Sequence, residues 1–167
     1  IEPGISTAEI DKIIYDFIVR HGARPNFLHL YGFPATACIS VNDTVIHGIP
    51  SRDQKIRPGD IVSIDTGCKI DGFNGDNACT FACGKIDLEA QRLLDVTKES
   101  LHLGIAAAQA GARIGDIGHA VQSYVEENGF SVVREYVGHG VGKELHEDPE
   151  VPNYGHAGRG QRLMPGM

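Results

Sequence analysis

Apolar residues recur at helical spacing near the start of the chain. Ser6 with Glu9 three residues later forms a capping box, and Gly22 is a stop signal. The apolar positions between them share one face of a 3.6-residue period; they are Ile10, Ile13, Ile14, Phe17 and Ile18. The pattern predicts an amphipathic helix that ends near Gly22.

Two further segments have helical signals. Asp87 caps a leucine-rich segment that ends near Gly111, and a third helix is predicted from Gly115 to Asn128, with Gly129 as its stop. The leucines of the second helix are Leu88, Leu93, Leu94, Leu101 and Leu103. The buried stripe predicted for the third is Ile117, Ala120, Val121, Tyr124 and Val125.

Strand patterns fill the region between the first and second helices. Alternation over residues 33–49 predicts short strands, and residues 60–81 predict two strands joined by a tight turn. If Asp71-Gly72 forms a two-residue loop, Asp65 lies diagonal to Asp76; a four-residue loop from Lys69 to Gly72 places the two aspartates directly opposite each other. Both registers place the carboxylates on one face.

The first and third helices resemble copies of one another at an offset of 107 residues. The same offset relates Pro58-Gly59 to Pro165-Gly166. We expect two related halves, about residues 1–110 and 111–167, although two amphipathic helices with one period also arise by chance. The expected fold class is α+β, with one domain over residues 1–167.

The composition argues against several classes of function. The formal net charge of −7 without a basic cluster argues against direct nucleic-acid binding, and no apolar run has membrane-spanning length. We expect a cytoplasmic protein. The four cysteines have no CxxC spacing, which favours reduced thiols used as small buried apolar residues over a disulfide or zinc ribbon.

The aspartate pair is the strongest sign of chemistry. Two carboxylates this close repel unless a cation or a shared proton lies between them, so Asp65 and Asp76 suggest a metal-bridging pair; the alternative is two solvated aspartates. His139, between two glycines, is the best nitrogen ligand, and His47 and His146 have similar Gly- or Pro-rich settings. Each histidine alone could also be an ordinary half-buried imidazole.

Mixed carboxylate and imidazole ligands suit Mn, Fe, Co or Zn, and two such ions support metal-assisted hydrolysis. Asp65, Asp76 and His139 provide too few donor atoms for two metals, so we expect further carboxylates.

Several motifs resemble type I methionine aminopeptidases over the whole chain. They are Tyr31-Gly-Phe-Pro34, Ile39-Ser-Val-Asn-Asp43, Val45-Ile-His-Gly-Ile-Pro50, Gly59-Asp-Ile-Val-Ser-Ile-Asp65, Asp71-Gly-Phe-Asn-Gly-Asp76, Gly138-His-Gly-Val-Gly142 and His146-Glu147 with Pro149. The resemblance implies a pita-bread fold, in which two related α/β halves surround an antiparallel sheet. It implies a monomeric metallopeptidase that removes N-terminal methionine from nascent proteins, with ribosome association as a further expectation.

The resemblance also assigns roles. Asp65 would bind one of two metal ions in bidentate fashion, Asp76 would bridge both, and His139 would complete the other. His47 and His146 would be catalytic histidines that position the scissile peptide and stabilise the tetrahedral intermediate. The methionine side chain would enter a pocket of Phe27, Leu30, Phe33, Cys38 and Leu145, where leucine at positions 30 and 145 departs from the aromatic residues of several relatives. These five could equally be ordinary core.

Two metal-binding glutamates of the family have no counterpart in residues 1–167. We therefore expect the sequence to lack a C-terminal portion and its extreme N terminus, and expect residues 1–167 alone to bind metal weakly and to aggregate. The alternatives are a truncated, inactive peptide-binding member of the fold and a proline-directed exopeptidase.

Overall fold

The structure, a computed structural model, describes residues 1–167. Two compact units are present: Ile1–Ala90 with Val141–Leu145, and Gln91–Gly140 with His146–Met167. Each unit is described separately. No helix is long and apolar enough to cross a bilayer.

Helix α1, Thr7–Arg20, opens the first unit as predicted, with the Ser6–Glu9 capping box formed. On the predicted apolar face, Ile10 and Ile18 are buried, whereas Ile13 and Phe17 are 60% and 56% exposed.

The buried face of α1 is rotated toward Thr7 and Asp11, since both make polar contacts with the rest of the unit. The Thr7 hydroxyl accepts from the Ser51 amide at 2.8 Å. One Asp11 carboxylate oxygen accepts from the amides of Thr36 and Ala37 at 2.9 and 2.8 Å. These bonds attach α1 to the beginning of strand β2.

An antiparallel sheet forms the centre of this unit. Strand β3, Ile61–Ile70, pairs along one edge with β1, Arg24–Pro25, and then with β2, Ala37–Val41. Its other edge pairs with β4, Phe73–Ala82. Of the short strands predicted over residues 33–49, one forms, β2. The segment after it contacts β2 through Gly48, which makes one backbone bond and one side-chain bond instead of a ladder.

The β3–β4 hairpin has the two-residue turn. Ile70 pairs with Phe73, and Asp71 and Gly72 have φ angles of 51° and 85°. Positive φ at both positions is the requirement of a type I′ turn, whose twist matches that of the strands. The diagonal register of Asp65 and Asp76 is therefore confirmed, and the four-residue loop is wrong.

The two faces of the sheet differ in chemistry. Ile39, Val41 and Val62 lie on one face and join a core with Ile10 and Ile56. The opposite face carries polar rows, of which the row formed by Ser40, Ser63 and Thr80 is one. The period of two along each strand produces this separation. One face therefore stabilises the unit, and the other is available for chemistry.

The second unit contains most of helix α2, Leu88–Ala107, with helix α3, Ile114–Glu127, and strands β5, Gly138–Gly140, and β6, Glu147–Val151. The leucines of α2 differ in exposure: Leu88 is 88% exposed and Leu101 59%, whereas Leu94 and Leu103 are half-buried. The buried positions are Val96, Ser100 and Gly104, at a spacing of four. A Cβ at Gly104 would lie 2.9 Å from Val121 of α3, so small residues permit the close helix contact.

The 107-residue offset recurs in the backbone hydrogen bonds. Gly4 donates to Ile56 at 2.8 Å, and Gly111 donates to Leu163 at 2.8 Å. Isolated bridges join Ser6 to Lys55 and Arg113 to Arg162, again 107 apart. In both helices that follow these bridges, the acid three residues after the N-cap accepts from the N-cap backbone amide: Glu9 from Ser6 at 2.8 Å and Asp116 from Arg113 at 2.7 Å.

Candidate active site

Asp65 and Asp76 lie on the polar face of the β3–β4 hairpin. Asp65 is directly opposite Ala78, and Asp76 is directly opposite Gly67. The two carboxylates are therefore diagonal neighbours, whose Cβ atoms are about 7 Å apart in such a register. This separation allows one cation to contact both side chains.

Cys38 belongs to the same face, because β2 places it directly opposite Asp65. Burial, and then the negative charges of Asp65, Asp76 and Asp11, together raise the pKa of the Cys38 thiol to about 11. A thiol that responds to both aspartates lies in their negative potential. A group of carboxylate oxygens with a negative potential around it favours the binding of a divalent cation.

His47 directly precedes Gly48, which packs against the outer edge of β2. The Ile39 amide donates to the Gly48 carbonyl at 2.8 Å, and the Gly48 amide donates to Ser40 Oγ at 3.1 Å. A Cβ at Gly48 would lie 2.2 Å from the Ile39 carbonyl oxygen. Only glycine permits this approach. The contact fixes exposed His47, whose φ is 56°, beside the strand that carries Cys38.

Three of the predicted pocket residues share the loop between β1 and β2. The Leu30 amide donates to the Phe27 carbonyl at 3.0 Å, and the Phe33 amide donates to the Leu30 carbonyl at 2.9 Å. Phe27 is buried, and Leu30 and Phe33 are half-buried. The loop begins and ends on strands that pair with β3, so it stands at the edge of the carboxylate face.

Leu145 belongs to a short segment that is attached to the same hairpin. The Asn74 side chain donates to the carbonyls of Gly142 and Lys143, each at 2.8 Å, and Lys69 Nζ donates to the latter at 2.8 Å. Sequence analysis did not identify Asn74 or Lys69. Asn74 lies two residues from Asp76, and Lys69 lies four residues from Asp65, so each shares a strand face with the aspartate of its own strand. This alternation along the strands is the signal that could have identified them.

His139 and His146 are neighbours in the second unit. Their ring centroids are 4.4 Å apart at an interplanar angle of 61°. His139 Nδ1 lies 2.9 Å from the Gly140 carbonyl oxygen. In the tautomer in which Nδ1 donates to this carbonyl, Nε2 carries the lone pair that a metal requires.

The two histidines line a groove of about 420 Å³ with Val137, Gly138, Glu147, Asp148 and Glu150. His139 is directly opposite Glu150 in the β5–β6 pair. The absence of a side chain at Gly140 permits this pairing, because a Cβ there would lie 2.6 Å from the Asp148 carbonyl oxygen. No group of three or more His, Cys, Asp or Glu side chains is gathered as a metal site. The set of Asp65, Asp76 and His139 stays a prediction.

The sequence model of metallopeptidase family M24 matches residues 1–167, which include the carboxylates and histidines described above. The chain belongs to metallopeptidase family M24. Similar proteins include the methionine aminopeptidase of Clostridium acetobutylicum, 52% identical over 166 residues that cover 99% of this chain and 66% of the relative. Methionine aminopeptidase 1 of Bacillus subtilis is 51% identical over 167 residues, 100% of this chain and 67% of the relative.

Among solved structures, the M24 chain is similar to methionine aminopeptidase from Rickettsia prowazekii. The TM-score is 0.97 at 40% identity, over 99% of this chain and 66% of the solved chain. The fold is therefore the pita-bread fold expected from the sequence. The chain spans about two thirds of the length of these relatives.

Proposed function

We propose that this M24 chain serves a metal-dependent aminopeptidase that removes methionine from the N termini of nascent polypeptides. The observation that carries the proposal is the diagonal placement of Asp65 and Asp76 on one sheet face, beside Cys38. The two relatives at 51–52% identity are named methionine aminopeptidases, and these names supply the substrate class.

Asp65, Asp76 and His139 would hold two divalent ions, for which Co, Mn, Fe and Zn are the candidates. When bound, such ions polarise a carbonyl and activate water at neutral pH. The oxygen donors on the hairpin and the lone pair of His139 Nε2 fit this class of metal. Two further glutamates of the family would complete the ligand set.

His47 and His146 would act on the substrate instead of the metal. Each imidazole can donate a hydrogen bond to the scissile peptide, and a donor aimed at the developing oxyanion lowers the barrier for hydrolysis. The backbone contacts of Gly48 hold His47 in place, and the ring of His139 packs against His146. Both histidines are exposed enough to meet a peptide.

The methionine side chain would lie against a predominantly apolar wall formed by Phe27, Leu30, Phe33, Cys38 and Leu145. Burial and nearby negative charge raise the pKa of Cys38 to about 11, so its thiol stays neutral well above pH 7 and suits an apolar side chain. The protein would act in the cytoplasm, as a monomer, on peptides emerging from the ribosome.

We also propose that residues 1–110 and 111–167 are related halves of one catalytic domain. The proposal rests on the recurrence of backbone hydrogen bonds, isolated bridges and the carboxylate bond to the N-cap amide at an offset of 107 residues.

The test is hydrolysis of a Met-Gly peptide by the complete, metal-loaded protein, with mass spectrometry of the products. Release of free methionine that is lost in both Asp65→Asn and Asp76→Asn supports the proposal. Binding of the peptide without release supports the inactive peptide-binding alternative. Cleavage of an Xaa-Pro peptide in preference to Met-Gly supports the proline-directed one.

A further inference from the structure

Two consecutive backbone carbonyls in the 141–145 segment, which belongs to the first unit, are held by donors of the β3–β4 hairpin. The Gly142 carbonyl accepts from the Asn74 backbone amide at 2.7 Å and from Asn74 Nδ2 at 2.8 Å. The Lys143 carbonyl accepts from the same Nδ2 and from Lys69 Nζ, each at 2.8 Å. A carbonyl oxygen has two lone pairs, so these four bonds use the full capacity of both acceptors.

The side-chain donors form one cross-strand pair. Lys69 is directly opposite Asn74, and each lies two residues from the Asp71-Gly72 turn. Side chains of directly opposed residues are close enough to contact a common partner, and here both reach the Lys143 carbonyl. The tight turn therefore sets the spacing of the donors that hold the 141–145 segment.

The 141–145 segment is attached through its backbone, because all four bonds end on carbonyl oxygens. The Gly142 amide also donates to the Glu144 carbonyl at 3.1 Å, which folds the segment back on itself. Leu145, at its end, is half-buried, and His146 is the next residue in the chain and is exposed. An attachment two residues before Leu145 restricts the positions that both side chains can take.

We propose that Asn74 and Lys69 are positioning residues for the peptidase reaction. By holding the 141–145 segment, they place Leu145 against the substrate methionine and His146 against the scissile peptide. This inference rests on the proposed function. A hydrogen-bond donor stabilises the transition state only when it is aimed at the developing charge, and a displacement of about 1 Å can lower a rate by about 100-fold.

The experiment measures kcat and KM for a Met-Gly peptide in the complete, metal-loaded protein and in Asn74→Leu. Leucine has nearly the same volume as asparagine and no donor, so it removes both Nδ2 bonds. We expect kcat to fall by about 10- to 100-fold with bound metal unchanged, and KM to rise by a smaller factor. Hydrogen exchange of the backbone amide at position 74 should become faster, because its acceptor is the Gly142 carbonyl.

A double-mutant cycle with His146→Ala tests whether Asn74 acts through this histidine. A positioning residue loses its effect on kcat when the group that it positions is absent. In the His146→Ala background, Asn74→Leu should therefore lower kcat by no more than about 2-fold, the usual limit for additive behaviour. The rise in KM should remain, because Leu145 is still displaced.

Two further variants separate positioning from a general loss of structure. Asn74→Gln keeps the donor and should recover part of the turnover that Asn74→Leu loses. Asn77→Leu is the matched control, since Asn77 lies on the same strand and is exposed on the opposite face, across from Thr66. It should leave kcat, KM and exchange at position 74 unchanged.

Unchanged kcat in folded Asn74→Leu, or an equal fall in the His146→Ala background, would overturn the inference. So would loss of bound metal together with turnover, which would mean that Asn74 orients Asp76 instead. If Asn74→Leu does not fold, Lys69→Met, which removes one of the four bonds, takes its place in the cycle and the same outcomes decide. A wild-type protein that releases no methionine contradicts the proposed function and this inference together, whereas an active wild type with unchanged variants contradicts this inference alone.

Discussion

Substitution of Gly48 by alanine should detach the segment that carries His47 from strand β2. The new Cβ would lie 2.2 Å from the Ile39 carbonyl oxygen and 2.9 Å from the Ser40 Cα. Carbon and oxygen atoms in contact lie about 3.3 Å apart or more, so the segment must move by about 1 Å. Both obstacles are backbone atoms of a paired strand, which cannot rotate away as a side chain can.

The magnitude follows from the two contacts that this movement breaks. Overpacking costs about 1–3 kcal/mol. Loss of the bond from the Ile39 amide to the Gly48 carbonyl leaves a buried donor unpaired, at a further cost of about 1–3 kcal/mol. Gly48→Ala should therefore lower the free energy of unfolding by about 2–6 kcal/mol, and peptide turnover should fall because His47 moves.

Urea denaturation measures the free energy, and hydrogen exchange of the Ile39 amide reports the contact itself. Gly75→Ala is the control, since a Cβ there meets nothing within 4 Å and its φ is not in the left-handed region. The control should match the wild type. A Gly48→Ala protein with wild-type stability and an equally protected Ile39 amide would refute the reasoning.

Three further predictions concern ionisable groups. His47→Ala and His146→Ala should each lower turnover by about two to four orders of magnitude without changing metal content. His139→Ala should instead lower the metal stoichiometry measured by elemental analysis. Loss of metal in the His47 or His146 variant and not in His139→Ala would mean that the ligand and catalytic roles are exchanged. The hydrogen bond from the Ser6 side chain, and then that from its amide, lower the pKa of Glu9 from 4.5 to about 2. Its contribution to stability is therefore present above pH 4.5 and lost as pH falls toward 2, so the melting temperatures of wild type and Glu9→Gln should converge over that window. Cys38 should react with iodoacetamide more slowly at pH 8 than exposed thiols do, because burial and nearby negative charge raise its pKa to about 11; peptide mapping by mass spectrometry that finds it alkylated first would contradict this.

Local signals predicted the helices and the hairpin. Capping residues, stop glycines and the Asp71-Gly72 turn act over a few residues, so the sequence was sufficient to place them. The shared face of Asp65 and Asp76 required only the period of two and the turn. Residue spacing alone therefore predicted that the two aspartates of the candidate site share one face of the sheet.

The errors arose where packing partners are distant in sequence. The contact of α2 with α3 at Gly104 was not predicted, because it depends on a small residue placed opposite Val121 of another helix. The segment over residues 24–25 is too short to predict as a strand.

Titration of the complete protein with Mn²⁺ tests the central claim, that Asp65 and Asp76 are metal ligands on one sheet face. The wild type should bind two ions. Asp76→Asn should lose tight Mn²⁺ binding while helical circular dichroism is retained. Asn77→Leu is the control, because Asn77 is exposed on the opposite face of the sheet, across from Thr66, and it should bind Mn²⁺ as the wild type does. Two ions bound with unchanged affinity in both Asp65→Asn and Asp76→Asn would contradict the account.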